Sequence, residues 1–356
     1  MPKFHLLIAD WYRQNKRTLP WRETKNPYFI WLSEIVLQQT RVNQGLNYYY
    51  KFIENYPTVF DLAHADEQQV LADWQGLGYY SRARNLHATA REIAFQLDGK
   101  FPTSFSEIKK LKGIGDYTAA AIASFAFDAQ HPVVDGNVFR VISRYLDVDT
   151  PIDSTQGKKV FDALAHELLG NHPAALHNQA IMEFGALQCV PVNPACDCCP
   201  LVASCAAFAH KTVSLRPVKQ GKVKVRDRFF HYLHIEAADT LFLEKRVDKD
   251  IWQHLYQFPL LELERAMDDQ AVRERLFELV GLQPVGISKP IKHILSHQRI
   301  HARVWYFDQV PKASSIRETW IKIQTSDLPS YPIPRLLDRY LLEDVPLPID
   351  GEFLKK

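Results

Sequence analysis

Five cysteines occur in this chain, and all five lie between Cys189 and Cys205. Disulfides in a secreted protein tie distant segments together. Thiols crowded into one short segment point instead to a metal site in a reducing compartment. Cys189, Cys196, Cys199 and Cys205 form a C-x6-C-x2-C-x5-C pattern, with Cys198 additional. Four thiolates in so short a loop can close around one inorganic centre. Zinc also accepts four cysteines. Zinc ribbons, however, join two CxxC-like knuckles, and here only Cys196/Cys199 makes one, so the spacing argues against zinc.

The chain around this loop is long enough for two domains. It has 356 residues, 46% of them hydrophobic and 24% charged, which is ordinary for globular protein. From Asp10 to about Ala209, apolar residues recur at three- and four-residue spacing, broken by Pro, Gly and Asn. Trp31–Leu37, Gln69–Trp74, Ala83–Leu97 and Thr118–Phe127 are examples. Residues 211–228 turn polar and basic, with seven Lys or Arg against the single acid Asp227. Such a strip reads equally as a track for a phosphate backbone or as a solvated linker. Beyond it, Phe229–Glu236, Thr240–Leu243, Arg303–Phe307 and Trp320–Gln324 have strand composition. Ala266–Val280 reads as a helix between strands. The expectation is a mainly α protein: a helical domain over 1–210, a basic linker over 211–228, a smaller α+β domain over 229–346 and a tail over 347–356.

Net charge is +2, so composition alone does not announce nucleic acid. The distribution says more, with residues 1–228 at +4 and the remainder at −2. No apolar run near the first residue is long enough for a signal peptide or membrane span. A soluble intracellular protein is expected.

Three stretches carry candidate chemistry. In Leu111–Ala121, an apolar helix from Phe105 to Leu111 meets Gly113-Ile114-Gly115, and an Ala-rich helix follows. Glycine permits the tight turn, and free amides opening the next helix can bind a phosphate without reading bases. Asp135 follows Gly115 by twenty residues, in Asp135-Gly136-Asn137. Alone, that tripeptide reads best as a helix N-cap. In Trp31-Leu32-Ser33-Glu34-Ile35-Val36-Leu37-Gln38-Gln39-Thr40, apolar neighbours around Glu34 would raise its pKa by desolvation, although most such glutamates merely face solvent. In Gly76-Leu77-Gly78-Tyr79-Tyr80-Ser81-Arg82-Ala83-Arg84, glycines flank an aromatic pair. Tyr79 is a candidate exposed ring, with Arg82 and Arg84 as phosphate contacts. Ordinary packing is the commoner role for such a tyrosine.

Together these stretches resemble the MutY adenine glycosylases of the endonuclease III, or helix–hairpin–helix, superfamily. The likeness extends over essentially the whole chain, most specifically in the helical part. It implies a [4Fe–4S] cluster on Cys189, Cys196, Cys199 and Cys205, and double-stranded DNA as partner, carrying adenine opposite 8-oxoguanine or guanine. It implies that Glu34 protonates adenine and that Asp135 balances the charge developing on the sugar, as paired carboxylates do in glycoside hydrolysis. Gly113 and Gly115 would bind backbone. Gln39, beside Thr40, and Tyr79 would fill the gap left by a flipped base. Strand-cutting members of the superfamily carry a lysine where this chain has Tyr117. A phenol cannot form an imine, so simple hydrolysis to an abasic site is expected. Tyr117 is expected to hydrogen-bond the Asp135 carboxylate, and Asn137 to hold that carboxylate or a water. The second domain is similar to the Nudix-like domain of the family, with Arg273-Glu274 the only fragment of a hydrolase box. In it, Leu295-Ser296-His297 resembles the Phe-Ser-His loop that senses 8-oxoguanine, with leucine in place of phenylalanine. A thymine or uracil mismatch glycosylase, and a silent DNA-binding protein using the hairpin as a clamp, are the competing readings. The first lacks the Trp-Leu-Ser-Glu…Gln-Gln-Thr stretch, and the second has no need of both carboxylates.

Overall fold

The structure is a computed structural model that describes residues 2–221, 225–343 and 347–348. Its helices, in chain order, are α1 (Pro2–Asn15), α2 (Pro27–Leu37), α3 (Val42–Asn55), α4 (Val59–His64), α5 (Glu67–Asp73), α6 (Ser81–Gln96) and α7 (Phe105–Ile108). They continue with α8 (Asp116–Phe127), α9 (Gly136–Tyr145), α10 (Thr155–Leu169), α11 (Ala174–Leu187), α12 (Ala206–Ala209), α13 (Asp269–Val280) and α14 (Arg335–Glu343). The strands are β1 (Arg226–Ala237), β2 (Thr240–Lys245), β3 (Tyr256–Gln257), β4 (Leu260–Leu263), β5 (Gly286–Ile287), β6 (Ile291–Ile294), β7 (Gln298–Phe307), β8 (Trp320–Gln324) and β9 (Leu347–Pro348). Two compact units result: residues 1–64 with 85–222, and residues 65–84 with 223–356. The short segment carrying α5 and the glycine–tyrosine loop thus groups with the sheet rather than with the other helices.

The first unit is helical. Phe4 and Ile8 of α1, Ala120 and Ala121 of α8, Val138 and Ile142 of α9, Phe161 of α10 and Phe184 of α11 share one buried cluster, against which Cys189, Cys199 and Cys205 pack. Turn chemistry sets where the helices begin. Asn26 caps α2 by accepting from the Tyr28 amide at 2.9 Å, with Pro27 in the first turn, where the missing N–H costs nothing. Ser154 caps α10 by accepting from the Gly157 amide at 2.8 Å. The helix expected from Phe105 to Leu111 is regular only to Ile108, because tighter turns carry the chain on into the glycine hairpin.

The basic stretch after residue 210 does not hang free. Arg216 pairs with Asp147 at 3.0 Å, and Asp153 accepts from the amides of Gln220 and Gly221 at 2.8 and 3.0 Å. Residues 222–224 of the expected linker and all of the tail except Leu347–Pro348 lie outside the described residues.

In the second unit, β1 runs parallel to β7 and antiparallel to β2 and β4. Strand alternation sends Phe230 and Tyr232 into a core closed by Leu336, Leu337 and Tyr340 of α14. It sends Leu233 and Ile235 into the opposite core, closed by Val272, Leu276 and Val280 of α13. That helix starts three residues later than the spacing predicts, because Asp268 caps it by accepting from the Ala271 amide at 2.8 Å. β6 and β7 form an antiparallel hairpin with Leu295-Ser296-His297 at its turn. Among the described residues, no helix is long and apolar enough to cross a membrane.

Candidate active site

A cavity of about 640 Å³ opens in the first unit, lined by Glu34, Tyr117, Asp135, Asn137, Glu183 and Arg22 among others. The helix that delivers Glu34 explains its chemistry. Ile30 through Val36 of α2 are all buried, Glu34 included at 7% exposure. Water cannot solvate the carboxylate, so burial pushes its pKa up to about 7. Asp135 adds to the rise through its charge, while a hydrogen bond with Tyr117 and the charge of Arg22 oppose it. Glu34 can therefore carry a proton at neutral pH.

Asp135 enters the cavity as the N-cap of α9. Its Oδ1 accepts from the Val138 amide at 2.8 Å, and its Oδ2 accepts from Asn137 Nδ2 at 2.8 Å. Burial raises its pKa too, but these bonds oppose the rise by favouring the charged form. The helix-cap reading and the functional reading thus describe one residue. Asn137 is in turn held by Arg140, whose Nη2 donates to Asn137 Oδ1 at 2.9 Å and to the Gly185 carbonyl at 2.6 Å. Arg140 Nε reaches the Cys189 carbonyl at 2.7 Å, joining the cavity wall to the cysteine loop.

Tyr117 corrects an expectation. Its phenol donates to Met182 Sδ at 3.9 Å and interacts with the Glu34 carboxyl, opposing the rise in that group's pKa, and among the described residues it makes no hydrogen bond to Asp135. No lysine lies among the described residues lining the cavity.

The cavity also contains a group that spacing does not reveal. Glu183, 1% exposed, takes two-pronged hydrogen bonds from Arg17 (2.9 and 2.6 Å) and from Arg22 (3.0 and 2.7 Å). Burial alone would raise its pKa; the two guanidiniums more than offset that and hold it down at about 2. The cavity therefore combines a glutamate able to hold a proton near pH 7 with an ionised one. Glu183 is a lone acid in an apolar helix, the same signal that marks Glu34. Its partners lie more than 160 residues away in sequence, and nothing local announces them.

Thr40 lines the cavity, and Gln39 beside it is exposed with φ +53°. Tyr79, in the second unit, is 48% exposed with φ +49°. Both gap-filling candidates are thus non-glycine residues held in left-handed backbone, a strain that persists only where surroundings impose it. Arg82, expected as a phosphate contact, is taken up within the protein. It is 8% exposed, lies over the rings of Trp74 and Tyr79 and donates to the Gly78 carbonyl at 3.2 Å. Arg84 donates to the Gln253 carbonyl at 2.6 Å. In the hairpin, Gly113 and Gly115 are exposed. Gly113 has φ +78°, and a Cβ there would sit 2.6 Å from Asn85 Cβ, so glycine is required. At the β6–β7 turn Ser296 and His297 are exposed, with Ser296 Oγ 3.1 Å from His297 Nδ1, while Leu295 packs on the core beneath.

Cys189, Cys196, Cys199 and Cys205 line one small cavity with Val141, Tyr145, Phe184 and Leu201 as apolar wall. Arg144 Nη1 donates to Cys189 Sγ at 3.5 Å and to the Val190 carbonyl at 2.8 Å. Cys198 is exposed and turned toward the Ala195 carbonyl. Among the described residues, no three His, Cys, Asp or Glu side chains are grouped as around a single metal ion. A polynuclear centre holds its thiolates further apart than one ion does, and four thiols around a shared apolar cavity fit such a group.

Comparison with known proteins agrees with this arrangement. Residues 32–165 match the HhH-GPD superfamily of base excision DNA repair proteins, and residues 231–343 match the NUDIX domain. An adenine DNA glycosylase of Buchnera aphidicola subsp. Schizaphis graminum is 36% identical over 257 residues, 72% of this chain and 74% of that one. Its counterpart in Buchnera aphidicola subsp. Baizongia pistaciae is 34% identical over 305 residues, 85% of each chain. Human adenine DNA glycosylase is 40% identical over 209 residues, 56% of this chain and 38% of its own. Among solved structures, a thermostable thymine-DNA glycosylase superposes with a TM-score of 0.55 at 28% identity, covering 59% of this chain and 96% of its own. A trapped endonuclease III–DNA complex, at 20% identity and TM-score 0.52 over 59% of this chain and 96% of its own, shares the helical fold. A helical domain with a glycine hairpin, a buried glutamate facing an aspartate, and a Nudix-type second domain place this chain in the MutY family of adenine DNA glycosylases, DNA-binding enzymes of base excision repair.

Proposed function

We propose that this enzyme hydrolyses the N-glycosidic bond of adenine opposite 8-oxoguanine or guanine, leaves an uncut abasic site, and carries a [4Fe–4S] cluster. The observation that carries the reading is the pair Glu34 and Asp135 in one cavity, with Glu34 able to hold a proton near pH 7. Adenine is a poor leaving group until a ring nitrogen is protonated. Glu34 supplies that proton, and Tyr117 orients its carboxyl. As the bond to the sugar lengthens, positive charge grows on the deoxyribose. Asp135, kept toward its charged form by Val138 and Asn137, offsets it. The ionised Glu183, its oxygens taken up by Arg17 and Arg22, forms a rigid charged part of the cavity wall. With Tyr117 in place of a lysine, the cavity offers no amine for a covalent intermediate, which supports water as the acceptor of the sugar.

The cluster would sit on Cys189, Cys196, Cys199 and Cys205, and when bound it would cross-link the loop and stiffen it. Arg144 and Arg140 tie that loop to α9. Ser296 would read the opposite base. 8-Oxoguanine differs from guanine by an oxygen at C8 and a proton on N7, and a hydroxyl can donate to the first or accept from the second. The enzyme works as a monomer on cytoplasmic DNA.

The test is a gel assay on duplexes with A opposite 8-oxoguanine, A opposite G, or T opposite G. Free adenine should appear from the first two, most readily from the first, with the strand intact until alkali is added. Preferred release of thymine, or trapping of the protein on DNA by borohydride, would overturn the reading. Purified protein should be brown, and stoichiometric zinc in colourless protein would overturn the cluster.

A further inference from the structure

Tyr79 stands on a loop in an unusual backbone state. Gly76, Gly78 and Tyr79 have φ of +96°, +73° and +49°. A Cβ built on Gly78 would meet nothing within 4 Å, so its positive φ rather than crowding favours glycine there. A tyrosine stays in the left-handed region only when its surroundings over-determine it.

Within the loop, Trp74 Nε1 and Arg82 Nη2 donate to the Gly78 carbonyl at 3.1 and 3.2 Å. Further supports come from the sheet-bearing part of the same compact unit. Gln75 is gripped at both ends of its amide. Its Nε2 donates to Asp338 Oδ1 at 3.1 Å, and its Oε1 accepts from the Ile333 amide at 3.4 Å. Arg335 Nη1 donates to the Gly76 carbonyl at 3.3 Å. The Tyr80 hydroxyl accepts from the Gly76 amide and donates to the Ile333 carbonyl, each at 3.4 Å. Arg335 and Asp338 are three residues apart on α14 and so share one face. Leu336, Leu337 and Tyr340 of the same helix are sunk in the sheet core, against which Leu295 of the β6–β7 turn also packs. One body thus braces the tyrosine loop and carries the Ser296 turn.

We infer that α14, through Asp338 and Arg335, is a positioning element for Tyr79, so that the Nudix-like domain sets the intercalating ring as well as reading the lesion. The inference rests on the proposed role of Tyr79 as the ring that enters the base stack. It gives the second domain two tasks. Deleting it after about residue 225 removes the brace along with the sensor.

A double-mutant cycle on the full-length protein tests this. Duplexes carry A opposite 8-oxoguanine with 2-aminopurine in the neighbouring step, whose fluorescence reports disturbed stacking. Asp338→Ala should weaken binding and reduce the fluorescence change roughly 2- to 10-fold, the range of one net hydrogen bond. Single-turnover excision at saturating enzyme should change much less. Asp338→Asn, which keeps an acceptor, should restore most of the loss. Gln75→Ala should reproduce it and serves if Asp338→Ala does not fold. In a Tyr79→Ala background, Asp338→Ala should add little. An undiminished effect in that background, or wild-type behaviour of both Asp338→Ala and Gln75→Ala, would overturn the positioning role. Wild-type binding by Tyr79→Ala would overturn the role of the ring itself, a separate result.

Discussion

The cavity proposed for catalysis and the β6–β7 turn proposed to read the lesion make opposite use of their surroundings. Glu34 is buried and Asp135 half-buried, and each is held by named partners: Tyr117 for the first, Asn137 and the Val138 amide for the second. Ser296 and His297 are exposed and hydrogen-bond chiefly to each other. Bond cleavage needs groups whose proton affinities are shifted and fixed before substrate arrives, and only a dry interior does that. Reading a base needs a donor and an acceptor that remain free until DNA supplies the partner. Burial would leave such groups unsatisfied at a cost when no DNA is bound. The two sites should therefore fail in different ways.

The largest contrast is in rate. Glu34→Gln should lower single-turnover adenine release by about 10²- to 10⁴-fold, the range for loss of a general acid, while mismatch binding in gel shifts stays near wild type. Asp135→Asn should behave similarly, since asparagine can still cap α9. Near-normal release by Glu34→Gln would remove Glu34 from the chemistry and erase the contrast.

The second effect is on stability and sharpens what burial means. Folding raises the pKa of Glu34 from 4.5 to about 7, so across that window the folded chain binds more protons than the unfolded one. Stability should fall as pH rises through it, by on the order of 3 kcal/mol if the shift is expressed in full. Glu34→Gln removes the penalty. Its melting temperature should exceed that of wild type at pH 8 and differ little at pH 4. Equal differences at both values would mean that the carboxyl is not raised.

The smallest effect belongs to the turn. Ser296→Ala should narrow the preference for 8-oxoguanine over guanine by about 0.5–1.5 kcal/mol, one net hydrogen bond. Excision of A opposite G should stay close to wild type, as should the melting temperature, because Ser296 is exposed. A loss equal on both substrates would make the turn a general DNA contact rather than a sensor.

Several residues were legible without a structure because their signal is local. The cysteine spacing brings four thiols to one small cavity, Gly113 occupies a position where any Cβ collides, and Glu34 lies in a helix with no wet side. Each depends on neighbours within a few residues, where chain geometry restricts the outcomes. The strands of the second domain were visible for the same reason, since alternation along β1 already sorts Phe230 and Tyr232 from Leu233 and Ile235.

Other features depended on side-chain partners that residue type and local spacing do not announce. Arg17 and Arg22 meet Glu183 only when α11 folds back beside the amino-terminal segment. Tyr117 comes to Glu34 and Met182 when α2, α8 and α11 assemble around one cavity. Arg82 reads as a surface cation and is instead enclosed between Trp74 and Tyr79. The segment from 65 to 84 reads as part of the helical domain, yet Gln75 and Gly76 find their partners on α14. By itself the sequence determined which side chains were available for acid catalysis and metal binding, because those depend on residue type and local spacing. Tertiary structure alone decided which carboxyl keeps its proton and which loop rests on which domain, because both follow from what burial removes from water and what it leaves as a partner.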